Sequence, residues 1–165
     1  MSNRRINVVF VCSGNICRSP MAEAVFAQLV DQAGLADRFE ISSAGTGDWH
    51  VGESPHPGTQ EALRRHGVPL VHGKRARRVD AALLAGADYI IAMDEGHVID
   101  LREYGPHADG KVSRLLDYAP DRPLRDVPDP YYTGKYEEVY QLVNAAARGL
   151  LEHIQQDKSL LRRQA

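Results

Sequence analysis

The fold of this chain is decided by residues 7–22, which read NVVFVCSGNICRSPMA. Its apolar, β-branched start at Val8–Val11 is typical of a strand that is buried on both faces. Ser19 and Pro20 then predict the start of a helix, with Ser19 as the N-cap and Pro20 at the first helical position. The segment 12–19 therefore lies between a strand and a helix, and in open α/β sheets ligands bind at this place.

The residues of this segment are suited to binding an anion. Backbone N–H groups of a tight loop that leads into a helix N-terminus form an anion site, and Arg18 adds a guanidinium suited to bidentate phosphate binding. The same positive environment favours the reactive thiolate of Cys12, and Ser19 is placed to donate a hydrogen bond to its sulfur. The alternative, in which both cysteines are buried apolar residues, leaves Arg18 and the Gly14-Asn15 turn unexplained.

The remaining chain alternates strand and helix patterns. Further strands are predicted at residues 39–44, 88–93 and, more weakly, 112–116, and further helices at 59–66, from 94 to 104, and from about 135 onward. Buried strands that alternate with helices predict a parallel sheet covered on both faces. The proline-rich stretch 117–134 shows neither pattern, and a connection of this length is usually functional or disordered.

Length and composition predict one globular domain. The 165 residues are 43% hydrophobic and 25% charged, and we expect residues 1–158 to form a single domain and residues 159–165 a frayed tail. A formal net charge of -2 provides no excess of positive charge for binding nucleic acid or an anionic membrane. The short apolar runs predict no membrane span or export signal, so we expect a cytoplasmic protein.

Residues 11–23, VCSGNICRSPMAE, resemble the signature of the low-molecular-weight protein tyrosine phosphatases. The similarity extends over nearly the whole chain, through the segments SSAGT (42–46), WHVG (49–52), HGVP (66–69), MDE (93–95) and DPYY (129–132). This resemblance implies a three-layer α/β fold, with a four-stranded parallel sheet, helices on both faces and a phosphate-binding loop after the first strand. It also implies hydrolysis of phosphotyrosine and of small aryl phosphates through a phosphocysteine intermediate, without a cofactor.

The resemblance also assigns the chemical roles. Cys12 is expected to attack phosphorus, and Asp129 to protonate the leaving group and later to accept a proton from water. The residues alone do not distinguish Asp129 from Asp117, Asp121 or Asp126. The residues expected to hold the phosphate, or inorganic phosphate and vanadate as ligands, are Ser13, Gly14, Asn15, Ile16, Cys17, Arg18 and Ser19.

Two further groups of residues follow from the same resemblance. Asn15, Ser19, Ser43 and His72 are expected to form a hydrogen-bond network that holds the phosphate-binding loop in shape. Ile16, Trp49, Tyr131 and Tyr132 are expected to line a cleft for the phenyl ring of the substrate. The histidines lack a ligand-pair spacing with a cysteine, so no metal site is predicted.

Other functions remain as alternatives. Thiol-dependent arsenate reductases share this fold, but their relay needs a further cysteine, and none follows Cys17 in this chain. Protein-arginine phosphatases are closer and typically carry Thr where this chain has Ile16, whose apolar side chain better suits an aromatic ring. A non-catalytic phosphate-binding module is expected to lack the nucleophile or the acid, and this chain has both.

The two cysteines suggest redox control. Cys12 and Cys17 are five positions apart in one tight loop, so the curvature of the loop can bring their sulfurs together. We expect Cys12 to be oxidised first and Cys17 to trap it as a reversible disulfide. The alternative is that Cys17 is a packed apolar residue whose side chain points away.

Overall fold

A computed structural model describes residues 4–159, and the predicted frayed tail lies outside them except for Ser159. The strands are β1 (Ile6–Cys12), β2 (Phe39–Gly45), β3 (Tyr89–Ala92) and β4 (Val112–Arg114). The α-helices are α1 (Arg18–Gln32), α2 (Pro57–Arg65), α3 (Ala81–Ala85), α4 (Glu95–Leu101), α5 (Pro130–Thr133) and α6 (Tyr136–Asp157). Short 3₁₀ helices span Ala36–Arg38, Arg102–His107 and Leu115–Tyr118.

The four strands form one parallel sheet, as predicted, and the order of the strands is β2-β1-β3-β4. The chain leaves β1 on one side to form β2 and returns to the other side of β1 to form β3. The carboxyl end of β1 therefore lies where the order of strands reverses, and ligands bind in the crevice at such a point.

Residues of β1 alternate between two apolar cores, one on each face of the sheet. Val8 and Phe10 pack into the core that includes α1 and α6, whereas Val9 and Val11 pack with buried residues of β3, α3 and α4. The ring of Phe26 from α1 meets that of Phe10 edge to face, with centroids 5.6 Å apart. Two cores separated by a sheet confirm the three-layer architecture.

The start of α1 differs from the prediction. The helix begins at Arg18 with Cys17 as N-cap, and no side chain caps it. Ser19 is buried inside the first turn, where its hydroxyl lies 2.9 Å from the sulfur of Cys12 and is not used for capping. The hydroxyl of Ser19 therefore contacts Cys12, the last residue of β1, and not the N-terminus of the helix.

Other boundaries also differ. The helix predicted to reach Tyr104 ends at Leu101, and a 3₁₀ helix follows in which Gly105 takes a positive φ of 51°. The weak strand predicted at 112–116 ends at Arg114. Helices α3 and α5 were not predicted, although each begins at an aspartate whose side chain accepts a backbone N–H.

The stretch 117–134 is held in place by side chains that bind backbone carbonyl groups. Arg125 donates hydrogen bonds to the carbonyl oxygens of Leu116, Ala119 and Arg122 at 2.6, 3.1 and 2.6 Å. The amide of Val127 donates to the carbonyl oxygen of Met93, 2.9 Å away at the end of β3. These contacts order a segment that has little regular structure of its own.

Within residues 4–159, no helix combines the length and the apolar character needed to cross a membrane.

Candidate active site

The loop formed by residues 12–19, here called the phosphate loop, is anchored through its carbonyl groups. The carbonyl oxygens of Cys12 and Ser13 accept from the amides of Thr46 and Gly47, and that of Ile16 accepts from His56, at 2.8–2.9 Å. In the described part of the chain, the amides of residues 14–17 donate to no protein group. These amides are therefore available to an anion.

Asn15 fixes the shape of the loop from inside. Its φ of 58° lies in the left-handed region, which Asn tolerates better than most residues. Its side-chain amide donates to the hydroxyls of Ser19 and Ser43 at 2.8 and 2.9 Å, and its side-chain oxygen accepts the backbone N–H of Arg77 at 3.0 Å. The structure thus brings together three of the four residues expected in the network.

Gly45, at the end of β2, lets the loop pass close to the sheet. A Cβ atom at this position would lie 2.5 Å from the carbonyl oxygen of Ser13 and 3.2 Å from the amide of Asn15. Backbone cannot move aside as a side-chain end can, so only glycine fits here without displacing the phosphate loop.

The fourth expected member, His72, lies apart. His72 is exposed and forms no hydrogen bond with the described residues. Lys74 takes the place expected for it, because its ammonium group donates to the carbonyl oxygen of Ser43 at 2.9 Å. His72 lies in a turn, and the side chain that reaches Ser43 belongs to Lys74, two positions later.

Cys12 lies at the base of the loop and is 2% exposed. Its sulfur is 2.9 Å from the hydroxyl oxygen of Ser19. Because that oxygen already accepts the N–H of Asn15, the hydroxyl hydrogen of Ser19 is free to point at the sulfur. The arrangement provides a hydrogen-bond donor for a thiolate at Cys12.

The guanidinium of Arg18 is buried and held on several sides. One terminal nitrogen, Nη1, donates to a carboxylate oxygen of Asp94 at 2.8 Å and to the carbonyl oxygen of Val127 at 2.9 Å. The other, Nη2, is 3.4 Å from both the carboxylate of Asp129 and the hydroxyl of Ser13. These contacts fix the plane of the guanidinium at the edge of the loop, where a bidentate contact needs it.

Asp94 and His97 support this arrangement and were not assigned a role from the sequence. Burial acts to raise the pKa of Asp94, but interactions with His97 and Arg18 outweigh it and hold that pKa below its usual value. Burial lowers the pKa of His97, with Asp94 acting in the opposite direction. The sequence did contain a signal, because Asp94 is the second residue after β3, whose carboxyl end lies beside that of β1.

Burial favours the neutral form of His97, although Nδ1 of its ring also lies 3.1 Å from a carboxylate oxygen of Asp94. In that form, Nδ1 accepts the backbone N–H of Asp94 at 3.2 Å, so Nε2 carries the proton. Nε2 lies 2.9 Å from the hydroxyl oxygen of Ser13 and donates to it. His97 thus steadies the start of the phosphate loop from the β3 side.

A cavity of about 470 Å³ opens above Cys12. The lining includes Cys12, Ser13, Gly14, Ile16, Cys17, Arg18, Trp49, His50, Asp129, Tyr131 and Tyr132. All four residues expected in the cleft therefore line it. Ile16 is buried at its side, whereas Trp49 and Tyr132 are 71% and 83% exposed. Aromatic walls around a charged base are suited to an aryl group attached to an anion.

Cys17 faces a different set of partners. Its sulfur is 3.5 Å from the hydroxyl oxygen of Tyr136, which in turn lies 2.9 Å from Nδ1 of His56. That nitrogen also accepts the amide N–H of Gly58, so the tyrosine hydroxyl donates to it and can accept the thiol hydrogen. Burial raises the pKa of the Cys17 thiol to about 11, so this cysteine remains protonated.

Among residues 4–159, no group of three or more His, Cys, Asp or Glu side chains is placed to hold a metal ion.

Comparison with known proteins agrees with this geometry. Residues 7–160 match the family model for low molecular weight phosphotyrosine protein phosphatase. The low molecular weight protein-tyrosine-phosphatase YfkJ of Bacillus subtilis is 51% identical over 156 residues, which cover 94% of this chain and 99% of YfkJ. PtpA of Staphylococcus aureus is 39% identical over 155 residues, 94% of this chain and 97% of PtpA.

Solved structures show the same similarity. The crystal structure of YfkJ superposes with a TM-score of 0.90 at 50% identity, covering 93% of this chain and 97% of that one. The low molecular weight phosphatase SP-PTP of Streptococcus pyogenes superposes with a TM-score of 0.81 at 35% identity, covering 94% and 97%.

The fold and the thiol-containing anion site define a cysteine-dependent phosphatase, a hydrolase of phosphate esters. The chain belongs to the low molecular weight protein tyrosine phosphatases. Its activity is accordingly the hydrolysis of phosphotyrosine.

Proposed function

We propose that Cys12 is the nucleophile and that the reaction runs in two steps. The Cys12 thiolate attacks phosphorus, and the bond from phosphorus to the phenolic oxygen breaks as the sulfur–phosphorus bond forms. Arg18 and the free loop amides bind the equatorial oxygens, where negative charge spreads in the transition state. The single observation that supports this most is the 2.9 Å contact between the Cys12 sulfur and Ser19, at the centre of this cradle.

We assign the proton transfers to Asp129. It lines the cavity with Cys12, and its carboxylate lies 3.4 Å from Arg18. In the first step it donates a proton to the leaving phenolate. In the second it accepts a proton from the water that attacks the phosphocysteine, so that inorganic phosphate and the thiolate are released.

We infer that the ligands of the cavity are phosphotyrosine residues of proteins, with inorganic phosphate and vanadate as small ligands. The aromatic walls and the apolar Ile16 support an aryl substituent over a guanidinium. Two relatives bear on this class: the tyrosine phosphatase Wzb of Escherichia coli K30, 26% identical, crystallised in complex with sulphate, and Vibrio vulnificus Wzb, 27% identical, in complex with benzylphosphonate.

A paired assay tests the substrate class. Wild type and Ile16→Thr are compared on phosphotyrosyl and phosphoarginyl peptides of the same sequence, in metal-free buffer with and without vanadate. We expect wild type to prefer phosphotyrosine and to be inhibited by vanadate, and Ile16→Thr to lose part of that preference. If wild type instead prefers phosphoarginine, the protein is a protein-arginine phosphatase and the assignment of phosphotyrosine as its substrate is wrong.

We also propose that the enzyme is redox-regulated. Peroxide converts the Cys12 thiolate to a sulfenic acid, and the Cys17 thiol condenses with it to a disulfide with loss of water. Both cysteines are free thiols in the same loop. The high pKa of Cys17 supports the order of events, because a protonated Cys17 reacts poorly with peroxide.

Recovery from peroxide tests this regulation. Wild type and Cys17→Ala receive the same peroxide dose and are then treated with a dithiol. We expect wild type to recover its activity and to show an intramolecular disulfide by mass spectrometry. We expect Cys17→Ala to lose its activity irreversibly. Equal recovery of activity by both proteins, with no intramolecular disulfide, would contradict this proposal.

We place the enzyme in the cytoplasm. Its proposed nucleophile works only as a reduced thiol, and both cysteines are unpaired. Cytosolic thiols are kept reduced, whereas exported proteins meet oxidising conditions. Fractionation of cells with an antibody against the chain tests the placement, and recovery outside the cytoplasm would contradict it.

A further inference from the structure

The segment between α2 and α3 belongs to a strongly basic stretch of the chain. Residues 62–79 contain six of the 20 Lys and Arg residues and none of the 22 Asp and Glu residues. Lys74 donates to the backbone of β2, whereas Arg75, Arg77 and Arg78 are exposed. These three exposed residues are here called the arginine strip. The formal net charge of the whole chain is -2, so this excess of positive charge is local.

The backbone of the arginine strip is fixed beside the carboxyl end of β2. Gly45, the last residue of β2, donates to the carbonyl oxygen of Arg77 and accepts from the amide of Val79, each at 2.8 Å. On the other side, the amide of Gly52 donates to the carbonyl oxygen of Ala76 at 2.8 Å. Backbone hydrogen bonds on both sides thus hold the strip in one position.

Two of the guanidinium groups are held through Nε. Nε of Arg77 donates to the carbonyl oxygen of Ser43 at 3.2 Å, and Nε of Arg78 donates to that of Thr46 at 3.3 Å. Because Nε is engaged, the edge of each guanidinium that carries Nη1 and Nη2 is left for another group. Two parallel N–H bonds from that edge match the two oxygens of a carboxylate. A group that is already oriented loses little conformational freedom when it binds.

No carboxylate of the described residues 4–159 occupies these edges. None of the three arginines forms an ion pair there, and the side chain of Arg75 donates only to the hydroxyl of Ser54. The acidic residues close to the strip along the chain have other contacts. Glu53 lies 3.1 Å from the ring of His50, and Asp80 caps α3. The positive charge of the strip is therefore left for a partner.

The arginine strip lies next to one wall of the cavity. It contacts both ends of the loop 46–54, through Thr46 and Ser54. The same loop carries Trp49, which is 71% exposed and lines the cavity. An extended peptide advances about 3.3–3.6 Å per residue. When its phosphotyrosine occupies the cavity, a residue a few positions along the peptide therefore has the length to reach the strip.

We propose that the arginine strip is a docking site for an acidic segment of the substrate protein, close in sequence to its phosphotyrosine. Asp and Glu carboxylates of that segment bind the guanidinium edges, while the phosphate binds in the phosphate loop. The inference rests on the proposed function, because it takes phosphotyrosine residues of proteins as the substrate. It deepens that function by stating which phosphoproteins the enzyme selects.

A set of phosphotyrosyl peptides tests the docking site. One peptide carries three acidic residues before the phosphotyrosine, another carries three after it, and a neutral peptide has the corresponding amides. We expect wild type to hydrolyse one of the acidic peptides with a kcat/KM about fivefold higher than the neutral peptide. The gain should lie in KM, because binding away from the reacting atoms leaves kcat unchanged. The preference should disappear at about 1 M salt, where the Debye length is about 3 Å.

Variants of the strip separate docking from catalysis. Arg75→Gln/Arg78→Gln should lose the preference and keep wild-type activity on p-nitrophenyl phosphate; Arg77 is left in place because its amide binds the phosphate loop. Arg5→Gln/Arg38→Gln is the matched control, since it removes the same charge directly before β1 and β2, at the opposite end of the sheet. Arg75→Glu/Arg78→Glu should prefer a peptide with lysines at the acidic positions, a gain that a misfolded protein cannot show.

Two results overturn the proposal: equal kcat/KM of wild type on all the peptides, or an equal loss by Arg75→Gln/Arg78→Gln on the acidic and neutral peptides. Binding of wild type to phosphatidylserine vesicles, with no preference among the peptides, would show that the strip binds an anionic membrane and that the proposal is wrong. Failure of the proposed function looks different, because wild type would then hydrolyse none of the peptides, whereas failure of the docking site leaves all of them hydrolysed alike.

Discussion

The two halves of the active site are built in different ways. The phosphate loop (12–19) is short and follows β1 directly. Hydrogen bonds from the residues just after β2 and just before α2 fix its backbone, and Asn15 ties it to Ser43 of β2. The acid loop, defined as residues 117–134, carries Asp129 more than one hundred residues later in the chain. It is held by Arg125 within the loop, and by Val127, which bonds to both Met93 and Arg18.

This difference indicates where precision is needed. The phosphate loop has to hold sulfur, amides and guanidinium in one geometry, and many hydrogen bonds fix it. The acid loop has to deliver a single carboxylate, and Arg18 is the point at which the two loops touch. We therefore expect changes in the phosphate loop to affect all substrates, and changes in the acid loop to depend on the leaving group.

The largest effect is expected at the nucleophile. Cys12→Ser should keep the fold and lower kcat on the order of 10⁴-fold or more on every substrate, because a serine hydroxyl is not ionised in this loop.

Arg18→Lys should lower kcat about 10²–10³-fold, since a point charge cannot replace the bidentate contact of a guanidinium. Steady-state kinetics and circular dichroism measure both, and substrate-dependent losses at Cys12 would contradict the comparison.

A smaller and selective effect is expected at the acid. Asp129→Ala should lower kcat about 10²-fold on phenyl phosphate and much less on p-nitrophenyl phosphate, whose leaving group departs with little protonation. Single alanine variants of Asp117, Asp121 and Asp126 should not show this dependence on the leaving group. If one of them does and Asp129 does not, Asp129 is not the acid.

The same difference explains what the sequence alone can predict. The nucleophile and the guanidinium lie in one segment between a strand and a helix, so a local pattern identified them. Asp129 could be chosen among four aspartates only by resemblance, because nothing local shows that Val127 ties its loop to Arg18. For the same reason, the sequence analysis assigned no role to Lys74, Asp94 or His97. The sheet and the long connections bring their partners close, and the spacing of residues along the sequence does not show this.

A third prediction concerns the anchoring of the acid loop. Arg125→Met removes the three hydrogen bonds to the carbonyl oxygens of Leu116, Ala119 and Arg122. We expect kcat on phenyl phosphate to fall about tenfold, because a misplaced acid costs rate, while inhibition by inorganic phosphate is unchanged. Arg122→Met is the control, since the Arg122 side chain forms no hydrogen bond with the described residues. Weaker phosphate binding by Arg125→Met would show that the two loops are not separable.

The smallest effect is expected at His97, which steadies the phosphate loop from β3. Burial lowers its pKa, so the folded protein holds His97 neutral at a pH where the unfolded chain, with a pKa near 6.5, takes up a proton. The unfolded state then binds more protons, and the stability that the neutral His97 contributes is present above pH 6.5 and is lost as the pH falls below it.

Replacing His97 by Gln should remove this component, because a Gln amide can donate to Ser13 and does not titrate. We expect urea unfolding between pH 7.5 and 5.5 to show a smaller loss of stability for His97→Gln than for wild type. His107→Gln, at an exposed histidine outside the site, should follow the wild-type curve. The lowered pKa of Asp94 does not interfere, since a carboxylate titrates below this window. Parallel curves for wild type and His97→Gln would mean that the pKa of His97 is the same in the folded and unfolded states, and a steeper loss of stability for His97→Gln would mean that the folded protein holds His97 protonated.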